Sequence, residues 1–280
     1  MTGSSEATAI PTEAIDTLVG VWGALSEIGA PLAEADFKAP VGLPGWNVQA
    51  VYSHVIGTER MLQGLEIAPP RDPSVATPHV RNPIGHLIEN EVALRAGRRG
   101  AEVLAEWNEL KALRVRTLRE AGPEYFAQPM MTPTGPGTMA DFLALRILDC
   151  WVHEQDLRWG LGLAPTLSGA AAEHTVDRLC RTIPMVVGKR AEAPDGAAVR
   201  ITIAPERDGE VARDLFVEVH DGRARYVDAP AGTPRASVRF TTAAFVRLAN
   251  GRGTDEHSGV ILDGDRELAG RIVGNFSQMI

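Results

Sequence analysis

Several functional classes fall away because the chain lacks what they need. Cysteine is nearly absent from its 280 residues. The two present, Cys150 and Cys180, are too far apart for a CxxC redox or zinc pair and too few for a disulfide framework. Aromatics make up only 5% of the composition. Long apolar runs are missing too: stretches such as Phe142–Leu145 are broken by charges far short of the roughly 18 residues of a membrane span. Basic residues are outnumbered, 28 Lys and Arg against 36 Asp and Glu, for a net charge of −8. No basic cluster offsets that charge, so nucleic acid is not an expected partner. The start, MTGSSEATAIPTEA, has neither the basic residues nor the apolar centre of a secretory signal, and the cytoplasm is the expected address. No GxGxxG, P-loop, GxSxG or HExxH pattern occurs, so nucleotide-binding and hydrolase-triad chemistry have no support. There is no internal repeat and no low-complexity segment.

What is present is a soluble composition, 44% hydrophobic and 23% charged, in a chain long enough for two modest cores. The first half reads as helices. From Thr12, taken as an N-cap, Ile15, Leu18, Trp22, Leu25 and Ile28 recur at helical spacing up to Gly29 and Pro31. Asn47 caps a second helix with an apolar face of Val48, Val51, Val55, Met61, Leu62 and Leu65, closed by Pro69 and Pro70. Asn82-Pro83 is a cap and first-turn pair for a third, carrying Ile84, Leu87, Ile88 and Val92. A further segment bears Val103, Leu104, Trp107, Leu110, Leu113 and Leu118. QPMMTPTGPG reads as a turn-rich loop, after which Thr138 caps a long helix that runs through Arg158 and stops at Gly160. Such helices predict a bundle over residues 1–163.

The second part, residues 164–280, opens with a helical stretch over Thr166 to Lys189 that bridges the two parts. Beyond Pro194 the periodicity changes to two. Val199–Ile203 and Leu215–Val219 read as strands around a turn at Asp208-Gly209, with further strands at Arg223–Val227, Ala236–Phe240 and Val260–Leu262. Short helices follow Thr241 or Thr242 and span Glu267–Asn275. The expected fold class is therefore α+β in two domains, a helical bundle followed by a small α+β domain.

The chemistry points to Asp149-Cys-Trp-Val-His153. Residues four apart on a helix lie one turn above each other, so this carboxylate and imidazole can converge on one point. Phe142, Leu145, Asp149, His153 and Asp156 share one stripe facing the bundle core, where polar groups demand partners. His54 borders the apolar face of the second helix. Packed side by side, the two helices can unite His54, Asp149 and His153 into a two-histidine, one-carboxylate set that leaves a fourth metal position open. The same pattern also fits a hydrogen-bonded structural pair. His79 and His86 read as solvated or capping residues, and His174, His220 and His257 as surface residues. Cys150, about 100° around the helix from Asp149, reads as a small buried hydrophobe.

The segments GWNVQAVYSHVIGTERML, HVRNPIGHLIENEVALR, DFLALRILDCWVHEQDLRWGLG and FTTAAFVRLANGR...VILDGDRELAGRIVGNF resemble the mycothiol-dependent maleylpyruvate isomerase family over nearly the whole chain. The resemblance implies an N-terminal DinB-like four-helix metal-binding bundle and a C-terminal domain similar to sterol carrier proteins. It implies His54, Asp149 and His153 as ligands of zinc or another divalent metal, and mycothiol as thiol cosubstrate. The chain departs at one ligand: Asp149 stands where the family member for which the name was coined has glutamate, which implies a metal about 1 to 1.5 Å nearer the helix axis or one bridged by water.

The implied reaction is addition of a thiolate to a small electrophile, giving either cis–trans isomerisation or S-transfer. Asp156 is a candidate for orienting a ligand or pairing with Arg158. Arg81, Asn82 and Arg239 are candidates for holding the thiol or an anionic substrate. The expected partners are a small electrophile and a low-molecular-weight thiol, in a monomer or homodimer. A reading from another class is a non-catalytic protein whose α+β half holds a lipid or other apolar ligand while the histidines are structural. A third is a metal-binding regulatory partner, against which the missing CxxC beside His153 counts.

Overall fold

The computed structural model describes residues 9–72, 74, 77–80, 82–253 and 258–278. The chain divides into two compact units between Ala164 and Pro165. No helix among the described residues is long and apolar enough to cross a membrane.

The first unit is built on helices α1 (Thr12–Gly29), α3 (Val48–Leu62), α5 (Gly100–Glu120) and α7 (Met139–Gly160), with α4 (Pro83–Arg95) laid against α3. One-turn helices α2 (Glu34–Phe37) and α6 (Pro123–Phe126) sit in the connections. α1 packs on α5 and α7, and α3 packs on α5 and α7, closing a four-helix bundle. Its core joins Trp22 and Trp107, edge to face at 6.1 Å, with Leu18, Leu25, Val51, Val55, Leu143 and Ile147, all buried.

The helix starts follow local chemistry. The Asn47, Asn82 and Thr138 side chains accept hydrogen bonds from the backbone N–H groups of Ala50, Gly85 and Asp141, so each satisfies an orphan donor. Thr12, expected to cap α1, is instead its first residue, and Pro11 holds the cap position. The QPMMTPTGPG segment, expected as a loop, is a hairpin of β1 (Pro129–Thr132) and β2 (Gly135–Thr138) in antiparallel register. Prolines fit there because a two-stranded ribbon needs backbone donors on only one side of each strand.

α4 departs most from expectation. Ile84 and Leu87, placed by periodicity on its inner face, are 45% and 52% exposed, whereas Glu89, Glu91 and Arg95 are buried. The inner face is an ion-pair network: Arg95 bonds Glu91 at 2.7 Å and Glu106 of α5 at 2.6 Å, and Glu91 accepts from the backbone N–H of Ala68. The paired charges decide which side of α4 faces inward. On α3, Met61 is likewise exposed, and Leu65 lies beyond the helix end.

The second unit holds a five-stranded sheet in the order β5 (Arg223–Val227), β4 (Arg213–His220), β3 (Ala198–Ala204), β6 (Ala236–Thr241), β7 (Val260–Gly264). β3 and β6 are parallel and the other neighbours antiparallel. α10 (Thr242–Ala249), capped by Thr241, and α11 (Arg266–Gly274) pack on this sheet. Phe240, Phe245 and Phe276 meet beneath them with ring centroids 4.8 to 5.9 Å apart, and burying each contributes about 1.5–3 kcal/mol. The stretch expected as one helix over Thr166 to Lys189 is broken. It comprises α8 (Ala170–Cys180), a single turn α9 (Ile183–Met185) and a π-helical turn over Val186–Arg190. Gly169, at φ +83°, precedes it.

Candidate metal centre

Two helices bring the three expected donors together. α3 carries His54 and α7 carries Asp149 and His153 one turn apart, and one potential ligand atom from each lies within 4.8 Å of the others. His54 Nε2 is 3.1 Å from Asp149 Oδ2, and His153 Nε2 is 3.7 Å from Asp149 Oδ1. Donor atoms around a tetrahedral zinc ion stand about 3.3 Å apart when bonds are near 2.0 Å. Asp149 thus faces His54 with one carboxylate oxygen and His153 with the other.

His153 donates from Nδ1 to Asp156 Oδ2 at 2.9 Å, and Asp156 is itself buried. An Nδ1 proton held by Asp156 would leave the Nε2 lone pair facing Asp149 Oδ1, the orientation a shared cation requires. Arg158, the other partner considered for Asp156, pairs instead with Glu154 at 2.7 Å. His54 Nδ1 is buried and has no hydrogen-bond partner. The convergence of donors and the Asp156 contact to His153 fit a divalent cation, while the orphaned His54 Nδ1 is equally compatible with a hydrogen-bonded pair.

The electrostatics favour an ionised Asp149 carboxylate beside a neutral His54. Burial lowers the His54 pKa from its ordinary 6.5, against the opposing pull of Asp149. Burial alone would raise that of Asp149, but adjacent His54 and Arg146 hold it well below the ordinary 3.8. Side-chain exposure of Asp149 is 24%, against 5% for His54 and 7% for His153, so the carboxylate is the cluster's most accessible donor.

Residues that the sequence pattern did not single out complete the surroundings. The Trp46 ring stacks on His153 at 5.7 Å and tilts against His54 at 5.5 Å. Its Nε1 donates to Glu89 Oε1 at 2.7 Å. His79 shares that oxygen at 2.9 Å and is half-buried rather than solvated. The close approach of its ring to Gly45 leaves no room for a Cβ there. On the far side, Arg146 contacts Asp149 Oδ2 and donates to Glu59 of α3 at 2.8 Å. Glu59 also accepts from Arg114 of α5 at 2.9 Å. A visible signal existed for Arg146, which falls three residues before Asp149 on the same helix stripe.

Asn82 is occupied as the α4 cap, and Arg81 lies outside the described residues. Arg239 is an exposed β6 residue of the second unit. His86 is exposed, His174 half-buried, and His220 exposed beside Glu218; His257 lies outside the described residues. Cys150 and Cys180 are both buried. Burial pushes each thiol up to about 12, which makes them poor nucleophiles near neutrality.

Comparisons with known proteins agree with this fold. The family model described as the mycothiol maleylpyruvate isomerase N-terminal domain matches residues 18–158. Among solved structures, the chain is similar to a mycothiol-dependent maleylpyruvate isomerase at 19% identity and a TM-score of 0.56, covering 90% of this chain and 92% of that one. A histidine-to-alanine mutant of that enzyme matches over the same shares at 18% identity and a TM-score of 0.55. At such identity the structural likeness shows the shared fold. No curated protein matches the sequence.

Proposed function

The chain belongs to the mycothiol maleylpyruvate isomerase N-terminal domain family, and on that premise we propose that it is a metal-dependent enzyme using mycothiol to attack a small electrophile. The observation that supports this reading is the convergence of His54, Asp149 and His153 within 4.8 Å, with His153 Nδ1 in hydrogen-bond contact with Asp156 Oδ2 at 2.9 Å. Two imidazoles and one carboxylate are the donor set of an open catalytic centre for zinc or another divalent ion. A cation held there supplies the charge that keeps an incoming thiol in its thiolate form near neutrality.

The thiol must come from outside, because both of the chain's own thiols are buried and their pKa values are pushed up to about 12. Addition of the thiolate sulfur to a conjugated cis keto acid forms a C–S bond and moves the π electrons onto the carbonyl oxygen. The former double bond then rotates. Return of the electron pair re-forms the alkene in its trans geometry and expels the thiolate, with no net change in protons or oxidation state. In the S-transfer variant the enolate takes a proton and the thioether leaves. The chain's own residues hold the geometry: Asp156 fixes the His153 tautomer, and Trp46 packs against both imidazoles.

The test is the metal content of the purified protein beside that of the His54→Ala and His153→Ala variants. About one equivalent in the wild type, lost in both variants, supports the assignment; equal content in all three removes it. Calorimetric titration of the metal-loaded protein with mycothiol and glutathione then checks the thiol, with binding of mycothiol alone as the expected result.

A further inference from the structure

The arginine behind the cluster is held in one pose by an unusually complete set of partners. Arg146 is 3% exposed, and each guanidinium nitrogen has its own contact. Nε donates to Glu59 Oε1 at 2.8 Å, Nη2 to Cys150 Sγ at 3.1 Å, and Nη1 to Asp149 Oδ2. Glu59 cannot swing away, because it is 0% exposed and its other oxygen accepts from Arg114 at 2.9 Å. The guanidinium is thus anchored through Glu59 to a third helix, α5, before it meets the carboxylate.

The consequence lies at Asp149. Its Oδ2 already receives Arg146 Nη1 and lies 3.1 Å from His54 Nε2, whereas Oδ1 faces His153 Nε2 at 3.7 Å. An aspartate free to rotate can offer both oxygens to a cation and fill two coordination positions. We propose that Arg146 is a positioning residue that ties up one oxygen of Asp149, so that the carboxylate gives the metal a single donor and the fourth position stays free for the thiol. This inference rests on the proposed metal centre and adds how that centre is kept open. The planar fork of arginine orients the aspartate and the glutamate together, which the point charge of lysine cannot do.

Removing Arg146 has opposite effects on two measurable quantities. Loss of a buried positive charge next to the cation leaves metal binding as tight or tighter. Loss of the orienting contact blocks the thiol. A merely structural role would weaken both or neither. The experiment uses metal-free full-length protein reconstituted with Co2+, comparing wild type, Arg146→Met and Arg146→Lys. Three readouts are taken: Co2+ affinity against a chromophoric chelator, visible d–d absorption, and the thiolate charge-transfer band on titration with 2-mercaptoethanol.

For Arg146→Met the expected results are undiminished Co2+ affinity, weaker d–d absorption as the coordination number rises, and thiol binding about tenfold weaker. Arg146→Lys should fall between it and wild type, and decides the matter if the Met variant does not fold. Superimposable spectra and equal thiol affinity in a folded variant overturn the inference while leaving the metal centre intact. A wild-type protein that takes up no Co2+ refutes the metal centre itself.

Discussion

The most direct physical test of the site's foundation is Glu59→Gln in metal-free protein. Glu59 is fully buried and accepts from Arg114 Nε at 2.9 Å and Arg146 Nε at 2.8 Å, the two guanidinium groups being 0% and 3% exposed. Removing one member of a buried ion pair costs about 3–5 kcal/mol, because the partner's charge is left uncompensated in a poorly polarisable interior. Here one carboxylate serves two cations. Glutamine keeps a single acceptor oxygen and turns an amide donor toward the other guanidinium, so the loss should lie near 5 kcal/mol. For a unit of this size each kcal/mol lowers Tm by about 2–4 °C, giving a fall of roughly 10–20 °C. Urea unfolding followed by tryptophan fluorescence, with Trp22 and Trp107 in the same core, measures the loss directly. Replacing Glu59, Arg114 and Arg146 together by apolar residues of similar volume should restore much of it, since no charge then remains buried. A loss below about 1 kcal/mol for the single substitution would refute the reasoning, because it would mean that the network is relieved by water or by movement of the helices.

Further outcomes follow from other parts of the structure. His54 has its folded-state pKa depressed below 6.5, so the unfolded chain binds the proton first. Its contribution is complete above pH 6.5 and is lost as pH falls below that value, at up to about 1.4 kcal/mol per pH unit. Asp149, depressed below 3.8, adds a second loss only below that pH. Denaturation midpoints of metal-free protein between pH 7.5 and 5 should show the first slope, and His54→Gln should flatten it. Gly57→Ala places a methyl 2.2 Å from Glu91 Cγ, which should push α4 off α3 and cost about 1–3 kcal/mol in urea unfolding. Cys150 and Cys180, buried with thiols at about 12, should resist a disulfide thiol reagent in native protein and react only after unfolding. Rapid modification of either in the native state contradicts their burial.

How much of the molecule is legible from its sequence depends on the range of the interaction involved. Asp149 and His153 converge because they are one turn apart on one helix, a relation that needs no tertiary information. The Asn47, Asn82 and Thr138 caps, the Asp208-Gly209 turn region and the strands of the second unit rest on equally local chemistry. α4 shows the limit. Its period is evident in the sequence but its phase is not, since Arg95 reaches Glu106 on α5 and buries the charged side. Likewise, His79 reads as a solvated imidazole until Glu89 and the glycine surface of Gly45 are brought beside it.

By itself, then, the sequence determined the helical bundle, the α+β second part, the acid–imidazole pair on α7 and the unsuitability of two isolated cysteines for disulfide or zinc chemistry. These are consequences of backbone periodicity and residue type within a few positions. Only the tertiary structure decided that His54 meets that pair, that Trp46 lies against both imidazoles, and that Arg146 reaches Asp149 from an anchor on Glu59 and Arg114. Each of those contacts joins residues remote in the chain, and a buried charge selects its partner by what packing places within hydrogen-bond reach, which linear order does not encode.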